Sequence, residues 1–80
     1  MKSTQIPTLT GTFCELRWQP GAIEAFIIAP GPICYGDVGE YDRERLEAEA
    51  RKHTRAQIFH YVESAEDLAQ QFPYAAQSRA

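Results

Sequence analysis

The side chains with the clearest potential for chemistry are two cysteines and two histidines: Cys14, Cys34, His53 and His60. Zinc sites usually use closely spaced ligand pairs, such as two cysteines separated by two residues, because both thiolates can then reach one ion. The two nearest of these four are His53 and His60, which fall in different predicted elements. We therefore expect neither a metal site nor a cofactor, and we interpret the cysteines as small buried core residues.

Catalytic motifs are also not indicated by the sequence. A reactive cysteine needs a base within hydrogen-bond reach and a cationic neighbour that lowers its pKa, and neither cysteine is flanked by lysine or arginine. The glycine pair Gly36 and Gly39 is no phosphate loop, because Asp37 between them would repel a phosphate. We expect a protein without enzymatic activity.

Size and charge restrict the class further. The chain has 80 residues, enough for a single domain, residues 1–80, whose small core is only marginally stable. Domains of this size often gain stability by self-association, so a homodimer is expected. The net charge of −3 argues against direct nucleic-acid binding, which needs a basic surface. No apolar run is long enough for a membrane span or a signal peptide, which favours the cytoplasm.

Hydrophobic periodicity predicts an α+β fold with a small antiparallel sheet of about four strands and two helices. The predicted order is β-β-β-α-β-α, with the order of strands within the sheet left open. Strands are expected over residues 8–18, 22–29, 33–35 and 56–62, and helices over residues 40–53 and 64–72. Residues 1–7 and 75–80 are predicted to be loose tails.

Local signals define several boundaries of these elements. Pro20 and Gly21 suit the central positions of a type II turn between the first two predicted strands. Ser64 is a candidate N-cap for the second helix. Asp37 followed by Glu40 matches a capping box for the first. These signals predict where the chain reverses and where each helix begins.

The most charged segment of the chain is GEYDRERLEAEARKH, residues 39–53. Between residues 37 and 49 there are six acids and two bases, a net charge of −4. One interpretation is a solvated helix face with weak internal ion pairs. The other is an anionic surface that binds a protein partner with a basic surface. The candidate partner-binding residues are Asp37, Glu40, Asp42, Glu44, Glu47 and Glu49.

Aromatic residues provide a second candidate surface. Phe59 and Tyr61 alternate along one predicted strand and therefore share a sheet face, opposite Ile58, His60 and Val62. These rings either complete the core or contact a second subunit through the sheet, and tyrosine is enriched at interface hot spots. The candidate residues of this second interface are Tyr35, Tyr41, Phe59 and Tyr61.

The short acidic chain, with its compact α+β order and the charged helix GEYDRERLEAEARKH, resembles the small anti-CRISPR proteins of phages and mobile elements. That resemblance implies a stoichiometric inhibitor in the cytoplasm of a bacterial host. Such an inhibitor docks on a CRISPR-Cas effector complex and blocks target DNA or nuclease recruitment. The acidic helix would then compete with the phosphate backbone for lysine and arginine. The alternative is a small homodimeric structural or assembly module that associates through its aromatic sheet face.

Overall fold

The computed structural model describes residues 1–29 and 41–76. Their α+β architecture consists of a four-stranded sheet with helices on both faces, which confirms the predicted class. The strands are β1 (Lys2–Pro7), β2 (Phe13–Trp18), β3 (Glu24–Ile28) and β4 (Ile58–Val62). The helices are α1 (Arg43–Ala50), α2 (Ala65–Gln71) and α3 (Pro73–Ala76).

The four strands are hydrogen-bonded in the order β1-β2-β3-β4, so β1 and β4 are the two edge strands. The β1–β2 and β2–β3 pairs are antiparallel, whereas β3 and β4 are parallel. A parallel pair requires a crossover connection, and the chain between β3 and β4 contains α1. The sheet is therefore mixed rather than purely antiparallel.

The first core lies between α1 and one face of the sheet. Strand alternation puts Cys14 and Leu16 of β2 on this face, and both are buried beside Ile27 of β3. The helix contributes Leu46 and Ala50. Each of these apolar residues is almost fully removed from water, which stabilises the fold by roughly 25 cal/mol for every Å² of apolar surface buried.

The second core lies on the opposite face and, in the part of the chain that the structure describes, covers the β3–β4 half of the sheet. It consists of Phe26, Val62, Leu68 and Ala75, so both α2 and α3 contribute to it. Ser64 caps α2 as predicted, because its Oγ accepts a hydrogen bond from the Asp67 amide at 3.1 Å. Because β3 is covered on both faces, its three central residues are all buried.

Several predicted boundaries are corrected by the structure. Residues 1–7 are not a loose tail, since Lys2–Pro7 form β1. The strand predicted from residue 8 begins at Phe13, because residues 8–12 form the loop between β1 and β2, in which the Thr8 amide donates to the Thr12 carbonyl at 2.9 Å. The predicted strand at residues 33–35 lies outside the described residues. In the predicted tail at 75–80, Ala75 belongs to α3 and is buried, and residues 77–80 are not described.

The turn between β2 and β3 agrees with its prediction. Gly21 has a φ of 84°, and the Ala22 amide donates to the Gln19 carbonyl at 3.0 Å. A positive φ at the third position of the turn is the mark of type II geometry and favours glycine. Pro20 and Gly21 therefore set the reversal that pairs β2 with β3.

Candidate functional site

The acids of α1 differ from one another in exposure, and the first of them is buried. Asp42 is only 2 % exposed and is the N-cap of α1, where its side chain accepts a hydrogen bond from the Glu44 amide at 3.1 Å. A carboxylate in this position satisfies a helix amide and complements the positive end of the helix. Asp42 therefore supports the helix and presents almost no charge at the surface.

Glu47 is bound by side chains of the same molecule. The Tyr61 hydroxyl donates a short hydrogen bond to one oxygen of Glu47, and an Arg51 guanidinium nitrogen lies 3.1 Å from the other. Burial, followed by the hydrogen bond to Glu47, raises the pKa of Tyr61 above its ordinary value. The phenol thus stays protonated and remains a donor, and Glu47 connects α1 to β4.

Two more of the six predicted partner-binding acids, Glu44 and Glu49, differ from Glu47 in the ion pairs that they form. Glu49 forms an ion pair with Lys52 at 3.1 Å, whereas Glu44 is exposed and forms no ion pair with a described residue. Asp37 and Glu40 lie outside the described residues. Over residues 41–53, four acids are matched by four bases, so this part of the segment has no net charge.

Three of the four predicted aromatic residues lie at the rim of the first core. Tyr41, Phe59 and Tyr61 are half-buried and pack against it, and Tyr35 lies outside the described residues. The Arg43 guanidinium lies 4.5 Å from the centre of the Tyr61 ring, and that of Arg51 lies 5.4 Å from the Phe59 ring. These cation–π contacts cover the ring faces with side chains from α1 and its C-cap.

The outer side of β4 is an open sheet edge, as far as the described residues show. The Ile58 amide donates to the Ile23 carbonyl at 2.9 Å, and the Ala29 amide donates to the Val62 carbonyl at 2.8 Å. Backbone direction alternates along a strand, so residues 58, 60 and 62 bond to β3. The backbone N–H and C=O groups of Phe59 and Tyr61 consequently point outward. We call these four groups the β4 edge.

The two edge strands differ in how well they resist pairing. β1 carries Lys2 and Pro7, and charge and proline are common means of blocking an exposed edge. β4 has the sequence IFHYV, without proline, lysine or an acid. Uncharged β-branched and aromatic residues of this kind favour addition of another strand. Strand order was not predictable from the sequence, so the sequence alone did not indicate that Phe59 and Tyr61 occupy an edge.

The described cysteine and histidine residues are dispersed. Cys14 lies in the first core, His53 is exposed after α1, and Cys34 lies outside the described residues. The ring of His60 forms a three-ring cluster with those of Phe26 and Phe72, at centroid distances of 5.4 and 4.6 Å, and the two phenylalanine rings lie 5.1 Å from each other. In residues 1–29 and 41–76, no three histidine, cysteine or acidic side chains come together as a candidate metal site.

The carboxylate of Glu24 lies beside this aromatic cluster. Glu24 lies 3.6 Å from Nε2 of His60 and accepts a hydrogen bond of 2.8 Å from the Tyr74 hydroxyl. That hydrogen bond raises the pKa of Tyr74. The contacts join β3, β4 and α3. Nε2 of His60 is buried and has no hydrogen-bond partner among the described residues, since 3.6 Å to Glu24 is too long for a hydrogen bond.

Comparisons with known proteins give no relative. No family model, curated protein or solved structure matches the chain. In the described part of the chain, no helix has the length and apolar character needed to cross a membrane.

Proposed function

We propose that this chain is a non-enzymatic assembly module that forms a homodimer by pairing two copies of β4. The observation that carries the proposal is the β4 edge, where Phe59 and Tyr61 direct backbone groups away from β3 that no described residue pairs with. A second copy supplies the same groups, so the edge is self-complementary about a two-fold axis. The result is one continuous sheet across both protomers.

The backbone N–H and C=O groups of β4 point alternately toward β3 and away from it, and this alternation determines the register of the pairing. An antiparallel arrangement with its axis at His60 sets Phe59 of one protomer opposite Tyr61 of the other. Residues that face each other at such positions exchange both backbone hydrogen bonds. Their rings are then cross-strand neighbours on one face, and aromatic pairs of this kind contribute roughly 0.2–1 kcal/mol each.

The small size of the domain gives a physical reason for assembly. A chain of 80 residues buries a smaller fraction of its surface than a larger domain does. The described residues of its second core cover the β3–β4 half of one sheet face. Extending the sheet through β4 adds hydrogen bonds and apolar contacts without enlarging the domain, and it removes an edge that would otherwise template aggregation.

The test introduces a charge at the edge without removing a core residue. Ile58 begins β4 and is 44 % exposed, and Leu9, in the loop after β1, is 39 % exposed. In sedimentation equilibrium, wild-type protein should be a dimer whose stability varies little with salt. Ile58→Lys should raise the dimer dissociation constant by about tenfold or more. Leu9→Lys is the matched control and should leave it unchanged.

Two outcomes would contradict the dimer. Wild-type protein that stays monomeric at every concentration would remove the proposal, as would equal weakening by both lysine variants. Circular dichroism of each variant should match that of wild type, which separates loss of assembly from loss of folding.

A second candidate function follows from the exposure of Glu44. This is the predicted inhibitor that covers a basic nucleic-acid-binding site, for which the anti-CRISPR resemblance suggests a CRISPR-Cas effector complex as partner. Glu44 lies in the first turn of α1 and forms no ion pair with a described residue. The charge-reversing variant Glu40→Lys/Glu44→Lys should abolish salt-sensitive binding to the effector complex in a pull-down. Undiminished binding would exclude this surface.

A further inference from the structure

A groove separate from the β4 edge lies between the β2–β3 turn and the loop that follows α1. Its volume is about 260 Å³, and its walls include Trp18, Ile23, His53 and Arg55. Trp18 is half-buried with its body against the first core, whereas the other three side chains are exposed. The groove thus combines two apolar surfaces, the indole of Trp18 and the aliphatic side chain of Ile23, with two polar groups. These are the imidazole of His53 and the guanidinium of Arg55.

The groove is held in place by hydrogen bonds on both sides. The Ile23 carbonyl accepts from the amides of Gln57 at 2.8 Å and Ile58 at 2.9 Å, which fixes the loop against the turn. Thr54 is buried, and its hydroxyl accepts from the Ala56 amide at 3.2 Å. A site formed by such fixed backbone requires little ordering when a ligand binds.

The charged side chains among the described residues that line the groove are basic. None of the described residues that line it is acidic. From Ala50 to Val62 the chain has no acid, but it contains Arg51, Lys52 and Arg55. Arg51 and Lys52 are engaged by Glu47 and Glu49, whereas none of the ion pairs between described residues includes Arg55. As far as the described residues show, the guanidinium of Arg55 therefore has its donors available for an anion, in a protein of net charge −3.

We propose that this groove binds a small phosphomonoester that carries a planar ring, as a nucleoside monophosphate does. The phosphate accepts hydrogen bonds from Arg55 and His53, since a guanidinium matches phosphate geometry. The ring packs on Trp18, and base–aromatic stacking of this kind contributes about 1–3 kcal/mol in nucleic-acid-binding proteins. Both contacts are needed, because a single exposed arginine gives little affinity for phosphate in water.

Trp18 is the only tryptophan, so its indole N–H gives a single reporter signal within the groove. Adenosine 5′-monophosphate added to the full chain should shift this NMR resonance saturably at constant ionic strength. Inorganic phosphate and adenosine, which each supply one half of the ligand, should shift it less. Arg55→Gln should weaken binding of the monophosphate by about tenfold, the loss expected for one charge-assisted hydrogen bond.

The matched control is Arg45→Gln, which removes an exposed arginine of α1 that does not line the groove. This variant should bind the monophosphate as wild type does. No indole shift with the monophosphate would overturn the proposal, as would an equal loss in both variants. Inorganic phosphate binding as tightly as the monophosphate would overturn the contribution of the ring. Both variants keep Trp18, and their remaining amide resonances report whether the fold is intact.

Discussion

Removing one hydroxyl group tests whether Glu47 is bound within the molecule. In Tyr61→Phe, the ring stays beneath the Arg43 guanidinium while the hydrogen bond to Glu47 disappears. Of its contacts with described residues, Glu47 then retains the ion pair with Arg51. The variant therefore isolates the link between β4 and α1 with little change in packing.

The expected magnitude follows from the surroundings of this hydrogen bond. A hydrogen bond to a charged group contributes about 1.5–3 kcal/mol when buried. The Glu47 side chain is 22 % exposed, and Tyr61 is half-buried, so solvent screens part of this energy. We expect Tyr61→Phe to lower the free energy of unfolding by about 1–2 kcal/mol, a large share of the roughly 5–15 kcal/mol typical of a whole domain.

The assay is urea unfolding of the four proteins of a double-mutant cycle, with Glu47→Gln as the second change. It is done at the lowest practical protein concentration, so that the proposed assembly does not contribute to the measured stability. Glu49→Gln is the control, because Glu49 forms an ion pair with Lys52 on the surface and should cost only about 0.2–0.5 kcal/mol. Additive effects of the two changes in the cycle would refute the conclusion that Glu47 is committed to Tyr61.

Two further predictions concern the helix starts. Asp42→Ala should destabilise the protein by about 1 kcal/mol in urea unfolding, because α1 loses its N-cap, whereas Glu44→Ala should change stability by less than half as much. Equal effects would contradict the capping role. Hydrogen bonds from the Glu63 amide and the Gln71 side chain lower the pKa of Asp67 below its ordinary value. This stabilisation is present above the unfolded pKa of about 3.9 and is lost as pH falls through the lower folded value. The melting temperature of wild type should therefore exceed that of Asp67→Asn at neutral pH, and the difference should shrink on acidification; a constant difference would contradict this.

Much of the fold was predictable because several local signals act independently of their surroundings. Pro20 and Gly21 specify a turn by their backbone preferences alone, and Ser64 specifies a helix start by its hydroxyl. The β3 sequence is apolar enough to require cover on both faces. These elements needed no knowledge of tertiary contacts.

The first strand was missed because only one of its six residues is buried. In Lys2–Pro7, Ile6 enters the first core, and the remaining positions are exposed or half-exposed, which leaves no clear alternation in the sequence. Its strand conformation depends on hydrogen bonding with β2, a tertiary contact. Edge strands covered on one side are for this reason poorly predicted from hydrophobic pattern.

The candidate sites were predictable only as far as residue type allows. The acids of the charged segment were identified, and the i, i+4 spacing of Glu47 and Arg51 predicted their ion pair. The burial of Asp42 depends on where the helix starts, and the hydrogen bond from Tyr61 to Glu47 is a tertiary contact. Phe59 and Tyr61 were correctly placed on one strand face. The open backbone groups beside them follow from strand order, which hydrophobic pattern does not specify.

Amide hydrogen exchange of β4 tests the dimer most directly. The amides of His60 and Val62 bond to β3 and should exchange slowly at any protein concentration. Those of Phe59 and Tyr61 should exchange rapidly in dilute protein and become protected as concentration rises and the two edges pair. Rapid exchange of Phe59 and Tyr61 at all concentrations, or protection that does not change with concentration, would contradict assembly through β4.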